Sequence, residues 1–219
     1  MTNTNLLIDN LANSDLSCSE NAKSALIAMG RDAVDPLLEE LSHADAKRRW
    51  EIIIVLTKIR DPRAIPAVAE HLRADHGALR VAAAQCLGEI GDQQATGALL
   101  RAVDENRNSG ALIWILQALG RLKDDRAIDV LVDVMQHTDS TAVRYTAIEA
   151  LGLIGDRRVI ETIRAYRDDE SGHVRSRVEV ALERLGYNQS PSASGADGRD
   201  EPPVWSAEHV NHRIDTHHA

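Results

Sequence analysis

Histidine, cysteine, tryptophan, tyrosine and arginine are the residues through which this chain could do chemistry, and their spacing narrows what that chemistry is. Cys18 and Cys86 lie far apart, with no CxxC pair to signal a zinc or redox site. His71, His76, His137 and His173 stand singly in polar stretches, without a second ligand at metal spacing. His209-x-x-His212 and His217-His218 are close enough to share an ion, but a metal would first have to order that polar segment. The chain has no glycine-rich phosphate loop and no nucleophile elbow. No set of residues forms a catalytic constellation, and recognition is the chemistry left to consider.

The candidates for recognition are the aromatic residues Trp50, Trp114, Tyr145, Tyr166, Tyr187 and Trp205, together with a series of arginines, Arg49, Arg80, Arg144 and Arg175. Trp and Tyr are enriched among the anchors of binding interfaces, and Arg is suited to carboxylates. Their positions acquire meaning only against an internal repeat. Leu26, Leu56, Leu87, Leu119, Leu151 and Leu182 recur at intervals of 30, 31, 32, 32 and 31 residues. Each is followed three residues later by Met29, Ile59, Ile90, Leu122, Ile154 or Leu185. Self-similarity at this period is the mark of a stacked-repeat protein.

Each unit reads as two helices, A then B. The A helices open at Arg31, Asp61, Asp92, Asp124 and Asp156; Asp is suited to accept from the unpaired N–H groups of a first turn, and Pro62 fits the first helical position. Apolar sets such as Ile65/Val68/Leu72, Leu99/Leu100/Val103 and Ile128/Leu131/Val132/Met135 have helical spacing. The spacing predicts B helices over 45–60, 76–91, 109–123, 140–155 and 171–186, joined to the A helices by short polar turns. Residues 1–16 are expected to form an N-terminal capping helix (over Leu6–Leu16), 17–187 the repeat array, and 188–219 a disordered tail rich in Ser, Pro, Gly and Asp.

A content of 43% hydrophobic and 27% charged residues is that of a globular chain; with no Phe, its core is Leu, Ile, Val and Ala. The net charge of −9 argues against nucleic acid, which needs a basic face, and favours solubility and a basic partner. Cys86 occupies a slot filled elsewhere by Val55, Ala118, Ala150 and Ala181, and reads as a small core residue in a reducing compartment. With no signal-type N-terminus and no long apolar run, the expected location is the cytoplasm, without membrane insertion.

The unit, with Asp-x-Arg-Ala-Ile opening helix A and Val-Arg…Ala-Leu-Gly-x-Ile-Gly-Asp closing helix B, resembles the HEAT-like repeats first associated with phycobilisome lyases. Leu79-Arg80…Cys86-Leu87-Gly88-Glu89-Ile90-Gly91-Asp92 and Val143-Arg144…Ala150-Leu151-Gly152-Leu153-Ile154-Gly155-Asp156 carry the match, which spans about residues 17–187. The resemblance implies an all-α, right-handed α-solenoid of about six helix pairs. It also implies three functions. Deoxyhypusine hydroxylases of this type place His-Glu pairs six and five residues before the anchor Leu to bind iron. Here those slots hold Trp50-Glu51, Val81-Ala82, Ile113-Trp114, Tyr145-Thr146 and Ser176-Arg177, with no His, so no metal centre is expected. Phycobilin lyases handle a tetrapyrrole, needing cations for its propionates and apolar walls for its plane. Adaptors grip another protein.

Trp50, Trp114 and Tyr145 fall in the slots facing the groove, as binding anchors or as groove-edge packing. Gln85, Gln117 and Glu149, two before the anchor, would face the same groove, as partner contacts or as solvated polar residues. Arg49, Arg80, Arg144 and Arg175, seven before it, read as a ladder to Asp residues and helix-terminal carbonyls of neighbouring units, or as contacts to a ligand carboxylate. Lys47-Arg48-Arg49-Trp50 is the most basic stretch, a solvated first turn or a contact for an acidic partner. The expected function is a non-enzymatic interaction scaffold without cofactor, binding another protein along the groove as a hetero-oligomer; the alternative is a bilin lyase-like or chromophore-chaperone subunit.

Overall fold

The computed structural model describes residues 3–187. The expected tail over 188–219, with Trp205 and the clustered histidines, lies outside the described residues.

Helices alternate between two layers. The A layer holds α1 (Asn3–Asn10), α3 (Val34–His43), α5 (Ile65–Glu70), α7 (Thr96–Glu105), α9 (Ile128–His137) and α11 (Ile160–Arg164). The B layer holds α2 (Leu16–Met29), α4 (Ala46–Ile59), α6 (Gly77–Ile90), α8 (Ala111–Leu122), α10 (Thr141–Ile154) and α12 (Gly172–Arg184). Each B helix packs on the next from α2 through α12, giving the α-solenoid of six pairs. The anchor leucines 26, 56, 87, 119, 151 and 182 are all buried, as are the A-layer sets, apart from a half-buried Leu100.

The N-terminal helix is corrected by the structure. It ends at Asn10, and Leu16 is not its last residue but the first of α2, with 77% of its surface exposed. Polar side chains intervene: Asp15 N–H donates to Asn13 Oδ1 (3.0 Å) and Ser17 N–H to Asp15 Oδ1 (2.9 Å), so local turns outcompete helix propagation.

The A helices after α3 each open with a short 3-10 turn capped by the recurrent Asp. Asp61, Asp92, Asp124 and Asp156 accept from the backbone N–H two residues on, at 3.0, 2.9, 3.1 and 2.8 Å. In three units that residue is Arg63, Arg126 or Arg158, whose guanidinium folds back onto the same carboxylate. Arg63 Nη2 then donates to the Arg31 carbonyl (2.9 Å) and Arg126 Nη2 to the Gln93 carbonyl (3.1 Å), each in the preceding unit. The Asp-x-Arg motif is therefore a clip that caps one helix and ties its unit to the one before.

The Ala-Leu-Gly motif closes the B layer. Gly88, Gly120 and Gly152 face Ala118, Ala150 and Ala181 of the next helix so closely that a side chain would find no room. The B helices α4, α6, α8 and α10 end on left-handed residues; Gly91 and Gly155 are the usual solution, but Arg60 (φ 58°) and Lys123 (φ 51°) take the same place. A side chain there is strained by about 1 kcal/mol. Lys123→Gly is therefore expected to raise stability by about 1 kcal/mol, read as a higher urea midpoint at unchanged slope; no change would mean that the strain is relieved elsewhere. The gain from Arg60→Gly is smaller, because Arg60 pairs with Glu89.

Candidate functional site

The face of the B helices turned away from the A layer is built by positions six and two before, and two after, each buried anchor, one helical turn apart. From α4 to α10 the first row is apolar, with Trp50, Val81, Ile113 and Tyr145 and with Trp114 beside it, and on α12 it is Ser176. Trp50 is 39% exposed, while Trp114 and Tyr145 are half-buried and pack on the core. The aromatic residues thus both support the fold and present a surface.

The middle row contains Gln85, Gln117 and Glu149, all half-buried. Among the described residues neither glutamine amide has a hydrogen-bond partner, whereas Glu149 accepts from Arg177 at 3.1 Å. The Arg177 guanidinium also lies 6.0 Å from the Tyr145 ring centroid. Tyr145, His173, Ser176 and Arg177 line a pocket of about 270 Å³ at the end of this face. From α4 to α12 the last row holds Lys58, Glu89, Arg121, Leu153 and Arg184, and Glu89 is shared by Arg60 and Arg121 from the helices on either side.

The arginine ladder points elsewhere. Arg49 donates to the Ser42 carbonyl (3.3 Å), Arg80 to that of Ala74 (2.8 Å), Arg144 to that of Thr138 (2.8 Å) and Arg175 to those of Asp169 (2.7 Å) and Glu170 (3.0 Å). Arg49, Arg80 and Arg144 reach back from the first turn of a B helix to carbonyls at the end of their own A helix, which have no partner within that helix, and Arg175 reaches those of the turn that follows α11. Arg144 also holds Asp169 of the next unit (3.2 Å). A second, open pocket of about 420 Å³ surrounds Arg144, Gln136, Tyr166 and the acidic 168–170 turn. Its Tyr166 hydroxyl is pushed above the usual phenol range by burial.

The basic stretch of α4 is likewise engaged. Lys47, though exposed, donates to the Ala12 carbonyl (3.0 Å), and Arg48 pairs with Glu40 (2.8 Å), so these cations tie α4 to the elements before it. Glu51, in the slot that hydroxylases fill with a ligand, is buried and paired with Lys23 of α2 at 2.8 Å. Among the described residues no group of His, Cys, Asp and Glu is arranged to hold a metal. None of the described helices is long and apolar enough to cross a membrane.

Sequence spacing placed the aromatic and amide rows but passed over the outer row of Lys58, Glu89, Arg121 and Arg184. The signal was present, because all four stand two residues after an anchor Leu.

The family model of HEAT repeats matches residues 34–119 and 108–183. The chain belongs to the HEAT repeat family. Solved structures agree on the fold. The complex of CpcE and CpcF of phycocyanin lyase from Nostoc sp. PCC7120 is 23% identical over 85% of this chain and 78% of that one, with a TM-score of 0.56. A designed armadillo repeat protein in complex with the peptide (KR)4 is 14% identical over 84% of this HEAT repeat chain and 100% of its own, with a TM-score of 0.59. An engineered protein gives 19% identity over 85% and 97%, with a TM-score of 0.55. No curated protein matches.

Proposed function

We propose that this HEAT repeat chain is a non-enzymatic scaffold that holds a protein partner along the open face of its B helices. Trp50, Trp114 and Tyr145 are the anchors, while Gln85, Gln117 and Glu149 orient the partner. The observation that carries the reading is the pair of unpartnered, half-buried amides, Gln85 and Gln117, set beside an aromatic row on one continuous face. Half-buried amides beside apolar surface suit the backbone of a docked chain, which supplies the missing donors and acceptors. The partner is a different chain, giving a hetero-oligomer; the similarity to one solved as a CpcE–CpcF complex is in keeping with this.

Affinity capture from the source lysate, wild type against the Trp50→Ala/Trp114→Ala/Tyr145→Ala variant, tests the proposal. One partner should be lost from the variant and the eluate should be colourless. Trp50→Ala alone is expected to weaken capture at a smaller cost in stability than Trp114→Ala or Tyr145→Ala, since Trp50 is the most exposed of the three. Capture left intact while the melting temperature of the triple variant collapses would reduce all three to packing residues.

A second reading is favoured by one observation: the pocket of Tyr145 and Arg177 pairs a ring wall with a guanidinium, the two things a bilin requires. A coloured eluate carrying an antenna subunit would establish a lyase-like or chromophore-chaperone role instead.

A further inference from the structure

We propose that the segment docked on this face is acidic: an extended stretch in which Asp or Glu alternates with apolar residues. The inference rests on the scaffold reading and names the chemistry of the partner.

The net charge of −9 points to a basic partner, but the charge is not spread evenly. Along the outer row and its adjoining helix ends stand five cations, Lys58, Arg60, Arg121, Lys123 and Arg184, against Glu89, with Asp125 and Glu183 exposed nearby. Glu89 is already taken by both Arg60 and Arg121. In the middle row Glu149 is taken by Arg177. The acidic residues that follow these helices, Asp61, Asp92, Asp124 and Asp156, are consumed in capping. Among the described residues Lys58, Lys123 and Arg184 have no ion-pair partner, so cations outnumber acids along this edge.

Backbone geometry points the same way. Lys123 holds a left-handed conformation at the place where Gly91 and Gly155 close their helices. A cation is retained there against local strain, and strain of this kind gathers at sites of function.

Along α8 the face runs from apolar Ile113 through Gln117 to Arg121 over about 12 Å, and the other helices vary the theme, with Ile54 and Lys58 on α4, Gln85 and Glu89 on α6, Glu149 and Leu153 on α10, and Val180 and Arg184 on α12. An extended chain running along the amide row sends alternate side chains to opposite sides. Its apolar residues then meet Trp50, Trp114 and Tyr145, and its carboxylates meet the cations. Complementarity of this type selects partners by penalising like charge.

A random dodecapeptide phage library panned on the full chain, followed by fluorescence anisotropy of the selected peptide, tests this. The expected outcome is enrichment of Asp and Glu interleaved with apolar residues. Binding should then weaken at least about tenfold (~1.4 kcal/mol) in the Lys58→Glu/Lys123→Glu/Arg184→Glu variant, and also in Trp50→Ala. If charge reversal unfolds the chain, Lys58→Gln with Lys123→Gly removes two cations on a backbone that the second change stabilises. Enrichment of Lys and Arg, with binding lost in Trp50→Ala, would overturn the acidic partner and leave the scaffold standing. Peptides indifferent to both variants, or no enrichment at all, would overturn both.

Discussion

A Gly120→Val chain is expected to unfold at a clearly lower urea concentration than the parent, with a loss of about 3 kcal/mol. A Cβ on Gly120 would lie 2.7 Å from the Ala150 Cα and 2.9 Å from its Cβ. The obstacle is backbone, which cannot swing aside as the end of a flexible side chain can. Relief requires α8 and α10 to separate, and every anchor between them loses packing as they do. Gly152→Val should behave alike, its Cβ falling 2.8 Å from that of Ala181. Gly88→Ala, at 3.0 Å from Ala118, should cost less, about 1 kcal/mol. Gly110→Ala is the control, because a Cβ there meets nothing within 4 Å. Equal midpoints for Gly120→Val and Gly110→Ala, followed by circular dichroism, would show that the helix contact does not limit stability.

Replacing Asp124 by Ala is expected to remove roughly 1–2 kcal/mol at neutral pH and to blunt the acid sensitivity of the fold. The hydrogen bonds from the Arg126 guanidinium, helped by the Arg126 backbone N–H, hold the Asp124 carboxyl down to about 2 against the opposing effect of burial. Asp61 and Asp156 are lowered by the same kind of clip, from Arg63 and Arg158. A carboxyl whose folded value lies below its unfolded one stabilises the fold above about pH 4. That stabilisation is lost as the pH falls towards 2, where the folded carboxylate takes up its proton. The magnitude is held to the lower part of what the shift alone would give, because Arg126 is solvent-exposed and its attraction is screened. Urea titrations at pH 7, 4 and 2.5 should show the parent losing more stability than the Asp124→Ala chain across that interval. Parallel losses in the two chains would place the acid sensitivity elsewhere.

The architecture was legible because burial imposes it on the sequence: a Leu that must be covered by the A layer in every unit recurs at one period, and its neighbours follow. The Asp-x-Arg motif was equally visible as a recurrence, but the destination of its guanidinium was not. That depends on which carbonyl of the preceding unit comes within reach, Arg31 for one clip and Gln93 for another. The arginine ladder was open for a similar reason. Its carbonyl partners follow from where each A helix stops, and α11, ending at Arg164, stops far short of a standard length. The N-terminal boundary was misplaced because Leu16 fits the helical apolar spacing, whereas Asn13 and Asp15 form turns that spacing alone does not weigh. On the open face, the aromatic and amide rows could be assigned from register. The outer row was open to the same reading, but its pairing was not, since Arg60, Glu89 and Arg121 come from three different units and meet only after the stack has formed.

The glycine–alanine contact makes the array extensible. Each contact takes its Gly from one unit and its Ala from the same slot of the next, as with Gly88 and Ala118 or Gly120 and Ala150. A duplicated stretch of residues 92–123 would carry both halves: its first Gly120 would receive the copied Ala118, and its second would receive Ala150 as before. Duplication in frame therefore inserts a unit without inventing a new interface, and each copy would lengthen the open face by about 10 Å. The number of units becomes a ruler, set by recombination rather than by point substitution, for how much of a partner the protein can span.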